Sequence, residues 1–221
     1  MAGGRGVRLG SITKKTPKPI IKINNKPYLE YLLNWLSRNG FKKFYFFLSY
    51  KNKKIQNYLN KYFLSKNLDY KIFIDTKRRG TFCALQDHLR KIEKIFFYTN
   101  ADEISNFNIK KIFLNYKKSK TKIMCSLLKS KKSIYTINKV NKQILIKTNS
   151  KQISYKDCGF KFINKEIFKK SKVQYQKIED FIYLDYLKKN KVSYFIVKKL
   201  PLRIDTALDI KRTKKELHDV K

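Results

Sequence analysis

The 221-residue sequence is poor in several residue types at once: three cysteines, four prolines, seven glycines, two histidines, one tryptophan and 16 acidic residues. Cys83, Cys125 and Cys158 are odd in number and widely spaced. That excludes a disulfide ladder and a metal-ligand set, and it suits a reducing cytoplasm. With only His88 and His218 to offer, the chain presents no Ser/His/Asp set. No apolar run approaches the roughly 18–20 uncharged residues that span a bilayer. The most apolar stretch, Phe44 to Tyr50, has the length of a buried strand. Gly3, Gly4 and Gly6 stand where a signal peptide would carry its apolar segment. No Gly/Ser/Pro linker divides the chain and no repeat recurs at a fixed period.

What is present in excess is positive charge, with 53 basic residues and a formal net charge of +37. Such a balance points first to nucleic acid or an acidic surface. However, 45 of the basic residues are lysines, and Lys, Asn, Ile, Tyr and Phe together make up 118 of the 221 positions. Those five types share A/T-rich codons, so base bias in a genome accounts for the composition. The lysines are also spread along the chain instead of forming one block. A core is assured, since 42% of the residues are hydrophobic, and disorder is excluded.

The apolar pattern alternates between two periods. Leu29, Leu32, Leu33 and Leu36 fall at i, i+3, i+4 and i+7, which predicts a helix over Tyr28–Asn39 closed by Gly40. Strands are expected at Lys43–Tyr50, Tyr70–Ile74 and Ile95–Thr99, and helices at Lys54–Leu64, Thr81–Ile92 and Asn108–Lys118. That alternation indicates βαβ units and a mostly parallel sheet. Beyond Lys120 the rhythm changes to short successive strands, Lys122–Leu128, Ser133–Asn138, Gln143–Lys147 and Asp157–Ile163. Helices near Lys165–Lys170 and Ile178–Lys189, strands at Val192–Val197 and Leu202–Asp205, and a helix over Leu208–Leu217 complete the chain. The expected fold is therefore α/β, a Rossmann-like doubly wound mixed sheet with an antiparallel excursion in its second half. Ligands of such sheets sit at the carboxyl ends of the strands.

The start of the chain carries the densest chemistry. Gly3, Gly4 and Gly6 let the backbone take positive φ and aim successive N–H groups at an anion. Arg8 adds a planar fork suited to phosphate oxygens. Lys18 lies between Pro17 and Pro19, which fix the local chain. Together, Gly3-Gly4-x-Gly6-x-Arg8-Leu9, Pro17-Lys18-Pro19 and Lys26-Pro27-x-Leu29-Glu30-Tyr31 resemble the sugar-1-phosphate nucleotidyltransferases, and within them the heptose 1-phosphate guanylyltransferase branch.

The resemblance covers the whole chain, more closely up to about residue 110. It implies condensation of a nucleoside triphosphate, GTP for that branch, with a heptose or hexose 1-phosphate, assisted by Mg²⁺. It further implies that Ala2, Gly3, Gly4 and Gly6 bind the nucleotide, and that Arg8 and Lys18 act catalytically on its phosphates. Asp102, just past the apolar strand, and Asp205, just past Leu202–Ile204, match the two metal aspartates of the family. An Asp in the position of Asp205 is equally a helix N-cap. Gly80 and Thr81 resemble part of a base-contacting turn, although Phe82 and Cys83 replace two of its glycines. Gly159 and Glu179 resemble sugar-binding positions, and a turn glycine or a first-turn helix acid is the structural alternative for each.

The resemblance implies a single nucleotidyltransferase domain over residues 1–221, with a nucleotide-binding half at 1–119 and a sugar-binding half at 120–221. The family carries an apolar first strand directly before its glycine loop, and Met1 occupies the last place of that strand. The first strand is accordingly expected to be missing from this chain. Val7 also replaces the usual Thr before the loop Arg. Two other readings stay open: an inactive nucleotide-binding relative, and a lysine-driven nucleic-acid-binding protein. No membrane partner is expected, nucleic acid is disfavoured despite the charge, and an oligomer is left open.

Overall fold

The structure is a computed structural model that describes all residues except 132, 150, 172–174 and 218–221. Its elements in chain order begin with α1 (Ser11–Lys15), β1 (Lys22–Ile23), β2 (Lys26–Pro27), α2 (Tyr28–Arg38), β3 (Lys43–Leu48), α3 (Asn52–Leu64) and β4 (Asp69–Ile74). Next come α4 (Thr81–Gln86), β5 (Ile95–Tyr98), β6 (Glu103–Ile104), α5 (Ile109–Lys118), β7 (Ile123–Ser130), β8 (Tyr135–Asn138), β9 (Gln143–Ile146) and β10 (Ser154–Asn164). The chain closes with α6 (Ile178–Phe181), β11 (Val192–Ile196), β12 (Leu202–Arg203) and α7 (Ala207–Glu216). His218 lies outside the described residues.

Contacts divide the chain into two compact units, one of Met1–Arg78, Asn100–Asn108 and Pro201–Lys221, the other of Arg79–Thr99 and Ile109–Leu200. In the first unit, β3 and β4 pair in parallel from Lys43↔Asp69 to Leu48↔Ile74. The leucine stripe of α2 is buried as its spacing requires, with Tyr28 and Trp35 added to it. Ile55, Leu59 and Phe63 of α3 are buried too. The Tyr58 and Tyr62 hydroxyls donate to Glu30 and Asn34, which ties α3 to α2 across their polar edge.

No strand precedes β1 among the described residues. Instead, Ala2 N–H donates to the Phe47 carbonyl (2.9 Å) and the Met1 carbonyl accepts from Ala101 N–H (2.8 Å). Residues 1 and 2 therefore bond on two sides, as the last residues of a strand between two neighbours would.

The second unit holds a six-stranded mixed sheet in the order β5–β10–β7–β11–β9–β8. Among its described residues only β7 and β11 pair in parallel; the hairpin β8–β9 and the long β10 supply the expected antiparallel excursion. Its core gathers Phe82, Phe168 and Phe181 into one ring cluster with Tyr175.

Three expected elements differ. The helix begun at Thr81 stops at Gln86, where Asp87 N–H bonds Cys83 O and His88 N–H tightens to Leu85 O. His88 therefore follows that helix instead of lying within it. The helix expected over Ile178–Lys189 is one α turn followed by a π turn over Ile182–Leu187. The strand expected to reach Asp205 ends at Arg203. No described helix is long and apolar enough to cross a membrane.

Candidate phosphate site and its second-unit counterpart

The first unit brings Asp102 and Asp205 together through a two-stranded ladder. β6 and β12 pair antiparallel with Glu103↔Arg203 and Ile104↔Leu202 in register. Asp102 immediately precedes β6 and Asp205 lies just past β12, so the antiparallel sense sets the two side by side. Arg203 and Glu103 form an ion pair across the ladder at 3.0 Å. The strand is pinned from behind by Tyr28 Oη donating to the Leu202 carbonyl (2.7 Å) and Thr213 Oγ1 donating to the Arg203 carbonyl (2.8 Å).

Lys18 Nζ donates to both carboxylates, Asp102 Oδ2 and Asp205 Oδ1. Its side chain is 10% exposed, in a short turn between the buried prolines 17 and 19. Burial alone would push the Lys18 ammonium down, but the two carboxylates outweigh it and hold it above the usual lysine value. For Asp205, burial acts upward, while the bond and charge of Lys18 and the charges of Arg8 and Arg203 hold the carboxyl below the ordinary aspartate value. Arg8 approaches Asp205 at 3.4 Å with 71% of its side chain exposed, so most of its guanidinium is available to a ligand.

Asp205 is not the cap of the last helix. Thr206 is, in a capping box with Asp209: Asp209 N–H donates to Thr206 Oγ1 (3.1 Å), and Thr206 N–H donates to Asp209 Oδ2 (2.8 Å). That arrangement leaves the Asp205 carboxylate to the cations. Of the three loop glycines only Gly6 takes positive φ. The carbonyl of Gly6 accepts from Leu9 N–H and Thr13 Oγ1, both at 3.0 Å. Gly3 lies beside Ser49, where an added Cβ would come within 3.0 Å of the Ser49 Cβ, and Gly4 faces open space.

Among the described residues no group of three or more His, Cys, Asp or Glu side chains could hold a metal. Two carboxylates that already share one ammonium could share a hard cation instead. The remaining coordination positions would then fall to phosphate oxygens and water, which is the way Mg²⁺ is ordinarily held.

The other candidate residues lie in the second unit. At Gly80 φ is +98°, and a Cβ there would collide with the Gln176 carbonyl oxygen. Thr81 Oγ1 accepts from Ile178 N–H at 3.0 Å. This turn thus packs on the segment leading into α6. Phe82 and Cys83 are buried in the core, Phe82 within the ring cluster. Gly159 has φ +89°, and its N–H donates to Asp157 Oδ1 at 2.7 Å. It lies where the β10–β7 register breaks between Asp157 and Lys161.

Glu179 lies 3.5 Å from the Lys161 ammonium, and Asp157 lies 2.9 Å from it. Asp157 and Lys161 were not singled out in the sequence. Four residues apart, they would be about 13 Å distant along a regular strand, and only the bulge joins them.

Comparison with known proteins supplies the family and the fold. The family model described as Nucleotidyl transferase matches residues 1–137. D-glycero-alpha-D-manno-heptose 1-phosphate guanylyltransferase of Campylobacter jejuni is 29% identical over 196 residues, which cover 86% of this chain and 84% of that protein. The enzyme of the same name from Aneurinibacillus thermoaerophilus is 26% identical over 98% of this chain and 96% of its own. Among solved structures, HddC from Yersinia pseudotuberculosis superposes with a TM-score of 0.77 at 22% identity, covering 98% of this chain and 96% of that one. A putative glucose-1-phosphate thymidylyltransferase from Bacillus anthracis superposes at 0.80 with 18% identity, covering 100% and 94%. Those structures share the mixed α/β fold. By its sequence match over the glycine loop, Lys18 and Asp102, the chain belongs to the nucleotidyl transferase family, and nucleotidyl transfer is its enzymatic class.

Proposed function

We propose that this nucleotidyltransferase joins GTP to a heptose or hexose 1-phosphate, with release of pyrophosphate and with Mg²⁺ as the assisting ion. The observation that carries this reading is the meeting of Lys18 with Asp102 and Asp205, with Arg8 beside them. A sugar 1-phosphate has a second pKa of about 6, so its attacking oxygen is already an anion at neutral pH. No general base is required, which fits a site that shows no histidine among the described residues. The difficulty is to bring two polyanions together in line. Lys18 and Arg8 supply fixed positive charge where negative charge gathers in the transition state.

In this reading Ala2, Gly3, Gly4 and Gly6 hold the nucleotide phosphates, Gly80 and Thr81 the base, and Gly159 and Glu179 the sugar. Asp102 and Asp205 hold the metal. When bound, Mg²⁺ would neutralise phosphate oxygens and orient the leaving pyrophosphate. With a cation held by the two carboxylates, Lys18 would be free to turn its ammonium toward the α-phosphate. Residues 1–221 act as one catalytic domain, with the nucleotide handled by 1–119 and the sugar by 120–221. Asp205 returns to the first unit from the later half. Three buried free cysteines favour a reducing compartment, the cytoplasm, for the reaction.

The test is a pyrophosphate-release screen of the four nucleoside triphosphates against heptose and hexose 1-phosphates with Mg²⁺. Turnover is expected with GTP, falling at least about 100-fold in Asp102→Asn and Arg8→Ala. Turnover that survives both substitutions overturns the site assignment. Nucleotide binding without any turnover would instead identify an inactive relative.

A further inference from the structure

We infer that Lys161 determines sugar specificity in this enzyme: its ammonium holds Asp157 and Glu179 side by side as paired acceptors for the hydroxyl groups of an uncharged sugar ring. The inference rests on the function proposed above and adds a residue to it.

Three observations carry it. The Lys161 side chain is 1% exposed, within ion-pair range of Asp157 (2.9 Å) and Glu179 (3.5 Å). Its Nζ nevertheless makes no hydrogen bond of good geometry with the described residues. A fully buried ammonium left so is rare, because desolvation is costly unless the donors are used. Second, the group faces a cavity of about 80 Å³ lined by Cys125, Tyr135, Asp157, Lys161, Glu179 and Tyr183 among others. That is room for a hydroxyl-bearing ring edge. Third, the pair is built by backbone geometry. Gly159 at positive φ makes the bulge, Asp157 Oδ1 accepts the Gly159 N–H, and buried Ser126 Oγ accepts the Phe160 N–H at 3.1 Å. A bulge held in this way aims side chains.

The charge arithmetic selects the ligand class. Two carboxylates and one ammonium leave one net negative charge in the pocket. Hydroxyl donors are welcomed there, and a sugar bearing a further carboxylate is repelled. The Cys125 thiol and the Tyr135 phenol also line this pocket, and both stay neutral in the working range. Burial drives the Cys125 thiol far up, and it pushes the Tyr135 phenol to about 12. Tyr98 of β5 lies with its ring 5.5 Å from the ammonium, and Tyr183 of the π turn adds a phenol. Burial by itself would lower the Lys161 ammonium, but the two carboxylates keep it well above the ordinary value.

Replacing Lys161 with Met keeps most of its volume and removes the charge. Asp157 and Glu179, 25% and 43% exposed, then repel each other across a pocket that has lost its ammonium, which favours protonation of one of them. Lys161→Met is expected to raise the KM for the sugar 1-phosphate about tenfold or more while the nucleotide KM stays within about twofold. The ratio of variant to wild-type kcat/KM for the sugar should fall as the pH is lowered from about 8 to about 6, a comparison in which substrate titration cancels.

Equal changes in both KM values, or a ratio flat with pH, overturn the assignment while wild-type turnover leaves the function standing. A wild type that releases no pyrophosphate from any substrate pair overturns the function and this inference with it. If thermal unfolding shows Lys161→Met to be unfolded, Asp157→Asn serves instead. It keeps the pair of side chains in place and removes one acceptor. It should raise the sugar KM alone, and an unchanged sugar KM overturns the assignment.

Discussion

Lys18 places a single cation between two carboxylates, and that position sets its two consequences. With Lys18→Met, Asp102 and Asp205, each about a quarter exposed at most, lose the ammonium between them and keep the largely exposed Arg8 beside Asp205. The apparent Tm should fall, and turnover should drop by about 100-fold or more through loss of positive charge at the phosphates. Millimolar Mg²⁺ without nucleotide should raise the Tm of the variant more than that of the wild type, because in the wild type the ammonium competes for the same two carboxylates. Thermal shift titration reads this directly, and a variant indifferent to Mg²⁺ would show that the carboxylates do not share a cation. Lys18, Asp102 and Asp205 were legible because their neighbours in sequence mark them: flanking prolines for one, the ends of apolar strands for the others. Lys161 was not legible. In sequence it is one lysine among 45, and only a bulge, which no periodicity announces, joins it to Asp157.

At the scale of elements, turns and caps decide what stands beside the site. The Thr206–Asp209 box caps α7 at the residue next to Asp205, so it fixes the backbone from which that carboxylate projects. Thr206→Ala should lower stability by about 1 kcal/mol, hence the apparent Tm by roughly 2–4 °C, and turnover should fall with it as Asp205 loosens. A variant with the lower Tm and full activity would separate the cap from the site. Gly80 is a sharper case. Alanine there meets both an unfavourable φ and the Gln176 carbonyl, so Gly80→Ala should destabilise by about 3 kcal/mol or more, measured by denaturant unfolding; a loss under about 1 kcal/mol would mean that this turn yields easily. Element types and order were readable from periods of 3.6 and 2 residues. The ends were not, because they depend on bonds that the pattern does not encode. Asp87 and His88 close α4 early by their own N–H groups, the capping box takes over after Arg203, and Ile182–Leu187 shifts to π bonding without any change in its apolar spacing.

For the whole molecule, strand pairing and charge are the properties that local reading reaches least well. The alternation announced a mostly parallel sheet and the later short strands an antiparallel excursion, yet antiparallel pairs prevail among the described strands and β10 lies between β5 and β7, since partner choice is settled by contacts distant in sequence. Charge was counted correctly, but its meaning depends on distribution. With 53 basic and 16 acidic residues, most lysines have no carboxylate to meet, and their mutual repulsion acts over the whole surface. The ion pairs at Lys18, Arg203 and Lys161, by contrast, are partly or fully buried. Salt distinguishes the two, because raising ionic strength from 0.01 to 0.15 M shortens the Debye length from about 30 Å to about 8 Å. That removes long-range repulsion and leaves buried contacts of 3 Å nearly intact. The apparent Tm should therefore rise over this interval, read by circular dichroism in sodium chloride. Adventitious binding to duplex DNA, driven by the same lysines, should weaken steeply over the same range. A Tm that falls with salt would mean that exposed ion pairs outweigh repulsion, and the excess of lysine would then need a structural purpose that base composition alone does not supply.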